Sequence, residues 1–151
     1  MSVKSPHDEL PPPSHSPVRR GAVAVIVREG RLLVIERSQL VRAPGAYCFP
    51  GGGIEPGEDQ PAALVRELRE ELNIVVEPVM RLWSSTTSWN VELHWWLANL
   101  SADAAIAPNP DEVAAYHWHT VAEIRALPTL LSSNHVFLDA WEAGLFPIAG
   151  L

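Results

Sequence analysis

The sequence predicts an α/β (α+β) domain, and three observations carry that expectation. Short runs rich in β-branched or aromatic residues recur along the chain, at 22–27, 32–37, 89–98 and 115–119. A glycine-rich loop, Gly51-Gly52-Gly53, leads into a two-faced helix that starts near Pro61 and ends at Leu72. Two further helical segments, 121–127 and 134–143, close the chain. At 151 residues the chain is long enough for one domain with a sizeable core.

Taken in order, residues 1–18 read as a disordered tail. Pro6, Pro11, Pro12, Pro13 and Pro17 alternate with serines and two histidines, and almost no apolar side chain intervenes. A single folded domain is expected over 19–151. Its first strand, 22–27, turns at Gly30 and returns as 32–37. A loop from Ser38 to Gly45 follows, then the short apolar run Tyr47-Cys48-Phe49. After the helix, 74–77 and 79–83 read as strand, 84–88 as a polar turn and 89–98 as a long strand. Its alternation fails after His94, which implies burial on both faces or a bulge. A loop from Leu100 to Asp111 carries Pro108 and Pro110. Thr120 and Glu123 form a capping box for the helix at 121–127. Ser133 is placed to cap the last helix and Gly144 to stop it.

The loop and helix at 51–74 hold the chemistry. Glycines there let the backbone approach a ligand closely. Pro61 suits a first helical turn, and Asn73 tolerates the left-handed conformation that ends a helix. Glu67, Glu70 and Glu71 stand at i, i+3 and i+4, so three carboxylates share one face. Like charges at that spacing repel by a few tenths of a kcal/mol per pair. Such a trio on an isolated helix is usually a solvated face, but behind a glycine loop it suits a divalent cation. All-oxygen donors select a hard ion, Mg²⁺ or Mn²⁺.

This stretch resembles the Nudix box, Gly-x5-Glu-x7-Arg-Glu-U-x-Glu-Glu-x-Gly-U, where U is a bulky aliphatic. Gly52, Glu58, Arg66, Glu67, Leu68, Glu70, Glu71 and Ile74 fall in register, and Asn73 stands where the family has glycine. The motif covers 52–74, and the order of elements extends the resemblance over about 20–146. The resemblance implies an α/β/α sandwich with a mixed sheet. It implies hydrolysis of a phosphoanhydride in a nucleoside diphosphate linked to another moiety, with a non-hydrolytic nucleotide-binding or sensor module as the alternative. It places Glu67, Glu70, Glu71 and the Gly52 carbonyl on the metal, with Glu58 and Arg66 supporting them. The general base would be Glu67, or Glu112 from the loop before the last strand. Arg20, Arg37 and Arg42 border the expected nucleotide pocket as phosphate partners, and Trp118 is one of six tryptophans able to stack on a base. The implied partner is a small nucleotide, and a homodimer is common in the family.

Composition excludes other classes. A formal net charge of −7 disfavours the nucleic-acid backbone as a partner and makes polyphosphate binding depend on metal ions. Cys48 is the only cysteine, so no intrachain disulfide forms, and its apolar neighbours read it as a core residue. His117 and His119 share one side of a strand, but no further ligands complete a zinc set. No apolar run reaches the length of a membrane span and no secretory segment opens the chain, so a cytoplasmic protein is expected.

Overall fold

The computed structural model describes residues 18–151, so the expected tail at 1–18 lies, but for Val18, outside the described residues. Eight strands and three helices follow in the order β1 (Arg19–Val25), β2 (Val27–Arg28), β3 (Arg31–Arg37), β4 (Tyr47–Cys48), β5 (Gly51–Gly53), α1 (Gln60–Leu72), β6 (Glu77–Thr86), β7 (Val91–Asn99), β8 (Val113–His119), α2 (Val121–Arg125) and α3 (Ser132–Glu142).

The strands form two four-stranded sheets. One runs β5-β1-β7-β6; in it β1 and β7 are parallel and the other pairs antiparallel. The other joins β2, β3 and β4, with β8 paired to the far side of β3. The first strand read from sequence is therefore split. Ile26 leaves one sheet, accepts an N–H from Leu33, and the chain continues in the other.

Alternation along β1 sorts the core into two halves. Ala22, Ala24 and Ile26 pack with Leu64, Leu68 and Leu72 of α1. Val23 and Val25 face the other way, onto Phe137 and Leu138 of α3, Ile124 of α2 and Trp95 of β7. Helices thus cover both faces, which gives the α/β/α sandwich. Trp95 is fully buried and stacks on Phe137 at 4.3 Å, and Trp83 stacks on Phe146 at 5.8 Å. These tryptophans are core residues.

β7 is covered on both faces, as consecutive burial of His94 and Trp95 shows, and the bulges lie in its neighbour β6. Residues 74–76 form no ladder; Ile74 and Val76 are buried by packing against α1 instead. The hairpin turn sits later than its composition suggests. Ser84, Ser85 and Thr86 continue β6, and the reversal is made by Thr87–Asn90, with Asn90 at φ 62° and its N–H on the Thr87 carbonyl. α3 starts earlier than read. Leu131 is its N-cap and has no side-chain acceptor to offer, and Ser133 lies inside the helix, where its Oγ accepts from Asn134 Nδ2. The Thr120–Glu123 capping box forms, and Gly144 ends the chain of α3 at φ 80°.

Candidate active site

α1 brings the acidic residues together, and its ends show why it forms where it does. Asp59 caps the first turn by accepting from Ala62 N at 2.8 Å, with proline in that turn. Asn73 ends the helix at φ 55°, its N–H on the Arg69 carbonyl. The three glutamates diverge in environment. Glu67 and Glu71 are buried, 3% and 6% exposed, while the Glu70 side chain is 43% exposed. Glu71 Oε1 accepts the Gly51 N–H at 2.9 Å. The Glu67 carboxyl lies against Gly52, where an added Cβ would meet its oxygen at 2.0 Å, so any side chain there would displace the carboxyl.

Arg66 is the hub. Its Nε and Nη2 donate to the two Glu58 oxygens at 2.8 and 2.9 Å, a bidentate pair. Nη2 also donates to the Gly53 carbonyl at 2.8 Å, and Nη1 to Glu67 at 2.9 Å and Glu70 at 3.3 Å. One side chain thus ties the glycine loop to the helix.

Glu112 joins from a distant loop. Ala107 N and Asn109 N donate to the last free carbonyls of α1, on Leu72 and Glu71, and Asn73 Nδ2 donates to the Ala107 carbonyl at 2.6 Å. Asn109 then turns the chain, taking N–H bonds from Glu112 and Val113 on its carbonyl. Ser38, just after β3, donates its N–H to the Glu112 carbonyl and its hydroxyl to that of Asp111. Glu112 is thereby held half-buried, close enough to feel Glu70, Glu67 and Glu71.

The electrostatics follow from this crowding. Burial, opposed by Arg66, pushes the Glu67 carboxyl up to about 7. Burial and then the Glu67 charge hold Glu71 well above the carboxylate range, and burial and then Glu70 raise Glu112. Glu58 moves the other way because Arg66 bonds its charged form.

The remaining candidates are placed as follows. Arg20 is exposed, 3.9 Å from Glu92, and its carbonyl takes the Ile54 N–H beside the glycine loop. Arg37 is buried, with Nε on the Arg42 carbonyl at 2.7 Å; its charge acts on Glu71 and Glu112 from inside and does not face solvent. The Trp118 ring is covered by Arg28, 4.4 Å above its centroid. His117 and His119 stack on each other at 5.3 Å. Cys48 is fully buried, which pushes its thiol up to about 12 and leaves it without a reactive thiolate. Sequence reasoning missed Asn109 and Asn134, whose Oδ1 holds the Phe49 N–H at the entry to the glycine loop. A signal existed for Asn109, since an asparagine between Pro108 and Pro110 has few conformations other than a fixed turn.

A family model for the NUDIX domain matches residues 17–141. The chain belongs to the NUDIX family. It is 28% identical over 129 residues to a NAD-capped RNA hydrolase NudC of Stutzerimonas stutzeri (strain A1501), covering 85% of this chain and 46% of that protein. It is 41% identical over 76 residues to a CTP pyrophosphohydrolase of Escherichia coli (strain K12), covering 48% of this chain and 56% of that one. The chain therefore spans about half the length of these curated relatives. Among solved structures, the E. coli ORF135 protein superposes with a TM-score of 0.67 at 28% identity over 83% of this chain and 89% of that one. A MutT NUDIX hydrolase from Burkholderia pseudomallei gives 0.64 at 27%, over 80% and 95%.

The NUDIX box of this chain fits a hard divalent cation by its donor chemistry. Arg66 bonds Glu58, Glu67 and Glu70, and Arg37 acts on Glu71 and Glu112, so two guanidiniums stand against five carboxylates and negative charge is in excess where water is scarce. Among the described residues no three acidic, histidine or cysteine side chains are placed to hold a metal ion by themselves, so the fit rests on donor chemistry.

Without metal, the same charge sets a pH dependence. The Glu67 carboxyl at about 7, against an ordinary 4.5, binds its proton more readily folded than unfolded. Its contribution, about 3 kcal/mol, is full below pH 4.5 and is lost as pH rises through 7. His94, lowered first by burial and then by Arg20, works oppositely below about 6.5. The difference between wild type and Glu67→Gln in EDTA isolates the carboxyl. Wild type should lose stability relative to the variant between pH 5 and 8 in thermal unfolding, and parallel profiles would refute the assignment.

Asn73→Gly is expected to lower stability by about 1 kcal/mol, because the glycine keeps the left-handed turn but drops the bond to Ala107. Turnover should fall less than threefold in a steady-state assay; a larger fall would show that this bond positions Glu112.

Proposed function

We propose that this NUDIX chain hydrolyses a phosphoanhydride bond in a nucleoside diphosphate linked to another moiety, a nucleoside triphosphate or related nucleotide, with Mg²⁺ or Mn²⁺. The observation that carries the reading is that Glu67 and Glu71 lie buried against the glycine loop, with Glu112 near enough to act on both. Relatives named as a hydrolase and a pyrophosphohydrolase support it.

In this reading Glu67, Glu70, Glu71 and the Gly52 carbonyl hold the cation. When bound, it neutralises phosphate charge and lowers the pKa of a coordinated water. The chain's own residues then divide the work. Glu67 or Glu112 would accept the proton as water attacks phosphorus and the anhydride P–O bond breaks; burial raises both carboxyls in the metal-free chain. Arg66 orients Glu67 and braces the loop through Glu58 and Gly53. Arg20 is exposed beside the loop and can meet a phosphate, while Arg37 balances the buried carboxylates. Trp118 has one ring face covered by Arg28 and is half-buried, which leaves less of it for stacking on a base. The enzyme is taken as cytoplasmic, acting on small molecules, and a homodimer is compatible with it.

The test is release of phosphate products from a panel of nucleotide diphosphate compounds with Mg²⁺, Mn²⁺ or EDTA. Metal-dependent cleavage of one compound well above the others is expected. Cleavage that persists in EDTA, or none across the panel together with no metal-dependent rise in melting temperature, would overturn the reading.

A further inference from the structure

Glu112 hangs on a turn whose first residue does more than the turn needs. Asn109, Pro110, Asp111 and Glu112 reverse the chain, with the Glu112 N–H on the Asn109 carbonyl at 3.0 Å and proline at the second position, which favours it. Asn109 Oδ1 completes the turn by accepting the Asp111 N–H at 3.2 Å. Asparagine, aspartate and serine all serve at such a first position. Asparagine is the one of the three that carries an acceptor oxygen and an N–H donor on one planar group. Here the donor has a partner, since Asn109 Nδ2 stands 3.5 Å from Glu112 Oε2. The bond from Asp111 fixes which amide atom is oxygen, so it is the N–H side that faces the carboxylate.

That contact is long, but it opposes a definite force. Glu112 is half-buried, and the charges of Glu70 and Asp111 both act on it. Like charges favour swinging the carboxylate away toward solvent. The Asn109 amide and the Arg37 charge pull the other way. Meanwhile the main chain beneath is held by other bonds. Asn109 N donates to the Glu71 carbonyl at 2.8 Å, Ser38 N to the Glu112 carbonyl at 3.0 Å, and the Ser38 hydroxyl to the Asp111 carbonyl at 2.8 Å. Loss of the Asn109 amide therefore leaves the backbone of Glu112 in place and frees its side chain.

We propose that Asn109 is a positioning residue for Glu112, its amide holding Oε2 and leaving Oε1 as the oxygen available to take a proton. The proposal rests on the hydrolase reading above for the work that Glu112 does. It gives the asparagine between two prolines a chemical reason as well as a conformational one.

Asn109→Asp is the sharpest variant for the test, made in the full chain. It keeps the size and the turn acceptor, and it replaces the donor with an oxygen that repels Glu112. With Mg²⁺ and the compound cleaved best in the panel above, kcat should fall about 10- to 100-fold while KM stays within about twofold. Asn109→Ser keeps a turn acceptor without adding charge, and its kcat should fall less than that of Asn109→Asp. A second readout needs no activity. In EDTA, Asn109→Asp should lower the melting temperature by about 2–4 °C in an otherwise wild-type chain. In Glu112→Gln the same change should lower it by less than about 1 °C, because the glutamine amide donates to the new aspartate. A kcat within twofold of wild type, a loss carried by KM, or the same melting drop in both backgrounds overturns the assignment. A melting drop that depends on Glu112, with no cleavage by wild type, upholds the hold on Glu112 and removes the hydrolase reading. Cleavage by wild type without that dependence does the reverse.

Discussion

Glu71→Gln is expected to lower turnover by roughly a thousandfold while the metal-free protein melts no lower than wild type. The two effects separate because this side chain has two jobs. Its Oε1 takes the Gly51 N–H, a bond the glutamine carbonyl can keep. Its charge, buried beside Glu67 and Glu112, opposes folding until a cation neutralises it, and the substitution removes that charge. Glu70→Gln should lose comparable activity with little change in stability, since its side chain is 43% exposed and loses only a weak contact with Arg66. Steady-state kinetics at saturating Mg²⁺ and thermal unfolding with and without Mg²⁺ check both. Wild type should gain melting temperature from Mg²⁺ and the variants should not. Near-normal turnover in both variants would take the two glutamates off the metal.

That a loop and helix at 51–73 would present carboxylates was legible in the sequence, because every determinant is local. Asp59, Pro61 and Asn73 set the ends of α1, and the 3.6-residue period sets which side chains share a face. The same period could not say which of the three glutamates is buried. Glu67 is enclosed by Gly52 of β5 and Glu71 by Gly51, and those contacts depend on how β5 is laid along β1 through Gly21–Gly53 and Val23–Gly51. Glu112 is a similar case. Its proximity is made by Ala107 and Asn109 bonding the end of α1 from a loop with no periodicity to read. Arg37 reads in the sequence as a phosphate partner at a strand end, yet β8 pairs alongside β3 as far as Val113 and the arginine is buried. The split of the sheet at Ile26 was also invisible, since one continuous apolar run serves both sheets.

Arg66→Ala is expected to destabilise the protein by about 2–4 kcal/mol, more than any other single change at the site. Removing one partner of a buried ion pair costs about 3–5 kcal/mol, because the other charge is left without compensation. The lower figure here allows for Arg66 itself being 23% exposed, although Glu58 and Glu67 are 16% and 4% exposed. For a chain of this length that is a fall of about 5–15 °C in melting temperature. Arg66→Lys should recover less than half, since an ammonium cannot make the bidentate bond to Glu58 and also reach the Gly53 carbonyl. If stranded charge is the cause, two further results follow. Adding Glu67→Gln to Arg66→Ala should return part of the lost stability, a coupling that a purely steric role for Arg66 would not produce. The cost of Arg66→Ala should also shrink between pH 8 and 5, because protonation of Glu67 removes the charge that Arg66 had balanced. A fall under 2 °C, or a cost independent of pH and of Glu67, would mean that the loop holds its place without the arginine.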